Sequence, residues 1–340
     1  MTLRWVSPRA LPAALIIAAA VVPFLAPTYY VQFASKLFIM GMLAMALNLV
    51  VGFGGLVSLC HAAFFGLAGY VLALAAPQYE AASLWLSLPL AVAAATGAAL
   101  VIGALSLRTR GIYFIMVTLA FGEMLFFFFH DTQFAGGSDG TFIYLKPEAY
   151  LGTRQIFDLE KPATFYWLVL ALTVGVIVLL RMIVQAPFGH ALAAARDNER
   201  RARSLGFPIY RIRLTAFVIS GGLAGLAGYL AVAQYGFVAP QMLGWHLSAT
   251  ILVMVVLGGM RSVTGPLIGA VALMGLEEIL KASLEHWKLA EGLIIIGIVL
   301  ALPGGVRQLF DMAFAPNPGA SSREAKAADA SLAAREAGHA

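Results

Sequence analysis

Charge is what this sequence has least of. Only 11% of its 340 residues are Asp, Glu, Lys or Arg, where soluble domains carry roughly a quarter, and a water-soluble globular fold is thereby excluded. Cysteine is nearly absent too. Cys60 stands alone, so no intrachain disulfide can form, and six scattered histidines give no ligand set for a metal. The chain has no H-E-x-x-H, and no lysine directly follows a glycine, so the Gly-Lys of a nucleotide-binding P-loop cannot occur. No cofactor is expected in this chain, and if nucleotide hydrolysis drives it, another chain performs the hydrolysis. Basic residues outnumber acidic ones, 22 to 17, but they sit in short loops, a placement that membrane insertion explains and nucleic-acid binding does not require.

What is abundant is apolar. Hydrophobic residues make up 61% of the chain, with the longest charge-free stretches at 37–79 and 214–260. A bilayer core of roughly 30 Å needs about 20 apolar helical residues. These runs lack the alternation of a barrel strand, and only helices remain to satisfy the backbone in lipid. The expected fold is all-α, a polytopic transmembrane helical bundle. Spans are expected near 11–27, 35–51, 61–77, 84–107, 111–129, 164–183, 213–234, 246–260, 264–281 and 290–303, about ten in all, with both termini on one side. Nine or eleven stay open, because glycines near 52–55 and 236–259 suit broken or re-entrant helices. Arg4 and Arg9 precede the first apolar run as in a signal peptide, yet no small-x-small cleavage site comes before Pro27, so an uncleaved first span is expected. Residues 1–315 then form one transmembrane unit, and 316–340, rich in Ala, Ser, Gly and scattered charge, a disordered tail.

In the ten-span arrangement one side receives Arg4, Arg9, Arg108, Arg110, Arg181, the arginines between 196 and 213, Arg261, Arg307 and the basic tail residues. The other receives Lys36, Lys146, Arg154, Lys161, Lys281 and Lys288. The arginine-rich side is expected to be cytoplasmic, with both termini, and the loop 130–163 lies outside. A weak internal echo relates Val50-Val51, Gly54-Gly55, Ser58 and Gly66 to Val255-Val256, Gly258-Gly259, Ser262 and Gly269; small residues are frequent enough here to produce it by chance.

The longest polar island on the cytoplasmic side is 186–208, APFGHALAAARDNERRARSLGFP. Pro187 suits a first helical turn, Gly206 a left-handed residue after the last turn, and Pro208 forbids continuation. Leu192, Ala195, Ala202 and Leu205 share one face, while Asp197 with Arg201 and Glu199 with Arg203 form i,i+4 pairs. This reads as one amphipathic helix at the membrane surface, longer than a connection needs to be, and so as a docking surface.

Several intramembrane polar residues are candidates for lining a pathway. Glu123 lies thirteen residues beyond Arg110, about 20 Å inward along a helix; it either faces a cavity or reaches the outer interface. Thr118 roughly shares its face. His61 follows Cys60 in a small-residue stretch, where it either lines a pathway or is a hydrogen-bonded packing residue. Asn48, Ser58, Gln234 and His246 join the same set. Glu277 and Glu278 read as charges at the outer interface. Gly136, Gly137, Ser138, Asp139 and Gly140 formally match the G-x-S-x-G nucleophile elbow, but the loop context and the lack of a histidine and acid partner favour a turn or outer gate.

Taken together, LNLVVGFGGLVSLCHAAFFGLAGY, RTRGIYFIMVTLAFGEM, GGSDG, PFGHALAAARDNERRARSLG, FVISGGLAGLAG and VMVVLGGMRSVTGPLIGA resemble the inner-membrane permeases of branched-chain amino acid ABC importers, in particular their M-type subunit, over about 37–305. The resemblance implies a permease in the bacterial inner membrane that passes branched-chain or other hydrophobic amino acids. It implies that 186–208 is the coupling segment, with Arg196, Asp197, Asn198, Glu199 and Gly206 at the ATPase contact. The family's leading Glu-Ala-Ala is replaced here by residues 198–202, Asn-Glu-Arg-Arg-Ala. Implied partners are a second related permease, two ATPase subunits that bind ATP and Mg, and a periplasmic substrate-binding protein. Alternatives are a permease for urea or another small solute, and a proton-coupled secondary transporter using Glu123 or His61.

Overall fold

The computed structural model describes residues 23, 26–76, 81–151, 154–157, 159–260 and 262–301. The expected first span and the tail lie outside the described residues. The architecture is the expected all-α membrane bundle. In chain order, α1 (Thr28–Asn48) runs without interruption into a π-helical turn (Leu49–Phe53), and α2 (His61–Ala75), α3 (Leu84–Ser106) and α4 (Ile112–Asp131) follow. The loop 132–161 holds two 3₁₀ turns and strands β1 (Thr141–Phe142), β2 (Ala149–Leu151) and β3 (Arg154–Phe157). After α5 (Pro162–Gln185) come α6 (Pro187–Asp197), α7 (Glu199–Ser204), α8 (Ile209–Tyr235), β4 (Phe237–Val238), α9 (Trp245–Gly258), α10 (Gly265–Ser283) and α11 (Trp287–Ala301).

Five of these, Thr28–Phe53, α3, α4, α5 and α8, are long and apolar enough to cross a bilayer. Of the ten spans expected, one lies outside the described residues, and the other four fall short for reasons that lie in how they begin and end. Helices α2 and α9 have 15 and 14 residues, about 22 and 21 Å at 1.5 Å per residue, and each starts after an irregular stretch, 54–60 and 236–244, rather than at a surface turn. Helix α10 carries Glu277, Glu278 and Lys281 in its last two turns, and α11 has 15 residues.

Two helices form the axis. In α1 and α8, 72% and 78% of the spanning window is buried, against 22–28% in α3, α4 and α5. The sequence of α8 explains its place. Gly221, Gly222, Gly225 and Gly228 give it a seam without side chains, and α2 and α3 close onto that seam. At Gly228 an added Cβ would stand 1.9 Å from the Phe65 carbonyl oxygen of α2. Around the seam pack Phe64, Phe217, Tyr229 and Phe114, all fully buried. The end of the bundle with Arg108, Arg110 and α6–α7 is called the basic end below, and the opposite one the loop end. At the loop end β1 pairs antiparallel with β4, Thr141 opposite Val238, and β2 with β3 across a bulge.

The backbone contact at Gly228 gives a direct test of this packing. Gly228→Ala must separate two helix backbones, and overpacking costs about 1–3 kcal/mol. Gly97 lies in α3 with nothing within 4 Å of its added Cβ, so Gly97→Ala should leave stability unchanged or raise it by a few tenths of a kcal/mol. Thermal melts of the two purified variants in one detergent should therefore show a fall for Gly228→Ala and none for Gly97→Ala.

Candidate functional site: two helix breaks and the basic end

A helix start leaves its first amide protons without partners, and inside a bundle no bulk water can supply them. The chain meets this need at α2 and α9 with side chains from neighbouring elements. The Ala62 N–H of α2 donates to Ser248 Oγ in the first turn of α9, at 3.1 Å, so the two starts lie side by side. The Trp245 N–H of α9 donates to Glu123 Oε1, at 3.1 Å. Just before α2, the Leu59 N–H reaches Thr118 Oγ1 at 3.4 Å, and the Cys60 N–H reaches Ser58 Oγ at 3.5 Å. Thr118 and Glu123 thus both act from α4, one on each break. Gly122 between them passes the backbone of Leu59 and Cys60 at contact distance.

His61, the first residue of α2, is fully buried. Its Nε2 lies 2.7 Å from Ser220 Oγ, and that hydroxyl donates to the Ala46 carbonyl of α1. A serine has one proton to give, so the imidazole Nε2–H donates to Ser220 and the lone pair on Nδ1 is left without a partner. Phe64 and Phe217 each stand edge-on to the ring, 5.7 Å away. The residue ties α2, α8 and α1 together.

Asn48 sits where α1 turns π-helical. Its Nδ2 donates to the Ser262 carbonyl at 2.8 Å, and Ser262 Oγ accepts the Gly265 N–H at the start of α10, also at 2.8 Å. At Gly52 an added Cβ would meet Asn48 Oδ1 at 2.1 Å and the Met260 carbonyl at 2.2 Å. The two echoing segments, 50–66 and 255–269, therefore approach each other at Gly52 and Met260. Gln234 and His246 are not part of this cluster. Gln234 ends α8 at the loop end, donating to the Gln32 carbonyl at 2.7 Å; the exposed His246 stacks on Trp245 at 3.8 Å between ring centroids.

Gly136, Gly137 and Gly140 all have positive φ, 83°, 58° and 77°, and Ser138 and Asp139 are exposed, hydrogen-bonded to each other at 3.2 Å. Side chains at 136 and 140 would strike the Gly140 and Val238 carbonyls. The loop is a tight turn seating β1 on β4, next to the irregular stretch that leads into α9.

At the basic end the single helix expected over 186–208 is two. Asn198 is extended (φ −154°, ψ 95°) and its side chain accepts the Arg201 N–H at 3.0 Å, capping α7. An asparagine competes with helix by bonding its own backbone neighbours, which the charge pattern conceals. The break separates Asp197 from Arg201, which form no ion pair, and leaves Asp197 exposed. Leu192, Ala195 and Ala202 are buried, but Leu205, expected beside them, lies past the end of α7 and is 70% exposed. Gly206 follows with φ 85° and open space around it.

Two contacts connect this pair of helices to the bundle. Arg196 Nη1 donates to the Gly52 carbonyl in the π turn, while its side chain lies against Gly55 and Leu192 lies near Gly54. Glu199 gathers three arginines: Arg203 of its own helix at 2.7 Å, Arg213 of α8 at 2.9 Å and Arg110, just before α4, at 3.5 Å. Arg213 also donates to the Ala195 carbonyl at 3.2 Å. Sequence reasoning missed Ser220, Ser248, Arg213 and Arg110 in these roles. Arg213 had a signal, being an arginine at the mouth of an apolar span; the two serines had none.

The model of the family described as "Branched-chain amino acid transport system / permease component" matches residues 29–302. The chain belongs to this permease family. It is 33% identical over 312 residues to the high-affinity branched-chain amino acid transport system permease protein LivM of Salmonella typhimurium, covering 86% of this chain and 73% of the relative. Against LivM of Escherichia coli it is 32% identical over 314 residues, with the same coverage. The autoinducer 2 import system permease protein LsrC of Klebsiella pneumoniae is 36% identical over 151 residues, 42% of each chain. No solved structure matches. The protein is a multi-pass membrane permease.

The glutamate at the basic end titrates in a defined direction. Burial raises the Glu199 pKa, but Arg213, then Arg110 and Arg203, outweigh it and hold the carboxyl below the ordinary 4.5. A depressed folded pKa contributes stability above the unfolded value that is lost as pH falls through the folded one. Glu199→Gln should therefore lower stability by about 1–3 kcal/mol at pH 7, and the gap from wild type in thermal melts should close as pH falls below 4.5.

Proposed function

We propose that this chain is the membrane permease subunit of an ATP-driven importer in the bacterial inner membrane and forms the translocation pathway for branched-chain or other hydrophobic amino acids. The basic end faces the cytoplasm in this reading, in keeping with the charge asymmetry, and the loop end receives a periplasmic substrate-binding protein. The partners are a second related permease and two ATPase subunits, which bind ATP and Mg. The short helices α2 and α9, with their irregular leads, and α10 and α11 join the five long helices as nine of the about ten crossings expected.

The observation that carries this reading is the construction of the basic end. Exposed Leu205 and Phe207 flank Gly206, offering an apolar knob beyond α7, while Arg196 ties the same helix pair to the π turn that precedes the first break. A force applied to the knob reaches the bundle interior through the packed α6–α7 pair and the Arg196 contact. A proton-coupled carrier is the weaker reading, because Glu123 is committed to the Trp245 amide and His61 to Ser220. Between amino acids and other solutes, the relatives matched over 86% of the chain are named for branched-chain amino acids, and the autoinducer 2 relatives match under half.

The test is Gly206→Val in the assembled importer. With φ 85° and nothing within 4 Å, the change adds backbone strain of about 1 kcal/mol or more and no clash. The bundle should melt as wild type does, while ATPase co-purification falls or substrate-stimulated hydrolysis is abolished. Full complex yield, stimulated hydrolysis and uptake by the variant would remove the docking assignment.

A further inference from the structure

A cleft of about 340 Å³ opens at the loop end between α1, α8, α9 and α10, a size in the range of small-molecule sites. Its walls are largely apolar: Ile39, Met40, Phe65, Met242, Leu247, Met254 and Met274 line it, together with Ala231. Methionines of this kind make a compliant wall that accommodates branched and unbranched side chains alike.

Into this apolar cleft the chain places one cation and one anion that do not meet. Lys36 is the single charged residue of Thr28–Phe53 and forms no ion pair within 4 Å among the described residues, although α10 with Glu277 packs against α1. Glu277 is on the opposite wall and pairs instead with Lys281 of its own helix at 2.6 Å. Gln234 lines the same cleft; its Nε2 donates to the Gln32 carbonyl and its Oε1 is buried with no partner. A charge in an apolar setting and a buried oxygen without a donor are both costly unless something else satisfies them. Lys36 needs an anion, and Gln234 Oε1 needs a proton donor.

We infer that this cleft is a binding site for an α-amino acid zwitterion with an aliphatic side chain, its carboxylate on Lys36, its ammonium on Gln234 Oε1 and Glu277, and its side chain among the methionines. The inference rests on the amino acid reading given above and adds the site within this chain. Neither group of the ligand alone fits both needs: a carboxylic acid without the amine leaves Gln234 Oε1 orphaned, and an amine without the carboxylate leaves Lys36 unpaired.

The experiment uses the complete importer in nanodiscs, without the binding protein. Thr250 lines the cleft and is exposed, and Cys60, the sole native cysteine, is fully buried, so Thr250→Cys or Gln241→Cys gives one labelling site for a charged methanethiosulfonate. Saturating L-leucine should slow labelling at least fivefold at both positions, 4-methylpentanoate and isopentylamine should not, and Lys36→Gln should remove the protection. In uptake by the importer with its binding protein, Lys36→Gln should raise the half-saturating leucine concentration at least tenfold with complex yield unchanged. An importer that takes up leucine but shows no protection at either cysteine contradicts the site and leaves the amino acid reading standing. Equal protection by either single-charge analogue contradicts the zwitterion assignment. An importer that takes up no aliphatic amino acid with all partners present contradicts the amino acid reading itself.

Discussion

The constraint on which this structure depends is that a backbone amide inside a membrane protein must find an acceptor within the protein. A helix that crosses without interruption meets it alone, as α3, α4 and α5 do. This chain instead starts two helices beside each other in its interior, and each start leaves orphan donors. Ser248 serves α2, Glu123 serves α9, and Thr118 serves the segment before α2. Asn48, Ser58, Thr118 and Ser248 are buried at these starts or at the π turn beside them, whereas Ser35, Ser87 and Thr173 bond carbonyls four residues back in their chain. Helix α8 supports the arrangement, because its glycine seam brings α2 close to it and His61 at the start of α2 bonds Ser220 of α8.

The same constraint ties the interior to the basic end. The π turn at 49–53 leaves the Gly52 carbonyl available, and Arg196 takes it; Glu199 holds the surrounding arginines of α7, α8 and the turn before α4 in one cluster. Helix α6 is thereby fixed to the irregular segment that begins at Gly54, and that segment ends at His61. A displacement of α6 has a short mechanical route to the two helix starts, through packed atoms and hydrogen bonds rather than through a flexible loop. Opening at such starts requires replacement of only a few bonds, which makes them suited to motion.

Much of this was legible in the sequence, and the residues show why. Hydropathy places the helices because lipid leaves the backbone no other option, and the glycines at 52–55 and 236–259 mark both irregular regions. Gly206 with its following proline marks a left-handed stop, which the φ of 85° matches. Asn198 was opaque: its capping bond competes with the helix, and a charge pattern reads straight through it. Ser220 and Ser248 were opaque too, since a serine in an apolar run carries no sign of which neighbour it will serve. Lys36 and Glu277 were legible as charges but not as two walls of one cleft, because only the packing of α1 against α10 sets them opposite each other.

The central claim is that the segment between α1 and α2 moves with α6 through Arg196. Hydrogen–deuterium exchange of peptides spanning 54–63 in the complete importer, compared between its nucleotide-free and ATP-bound states, addresses it most directly. The account predicts a nucleotide-dependent change in exchange over these residues in the wild type that is lost in Arg196→Gln while the complex stays assembled. Exchange over 54–63 that ignores nucleotide in the wild type, or that responds equally in Arg196→Gln, would contradict it.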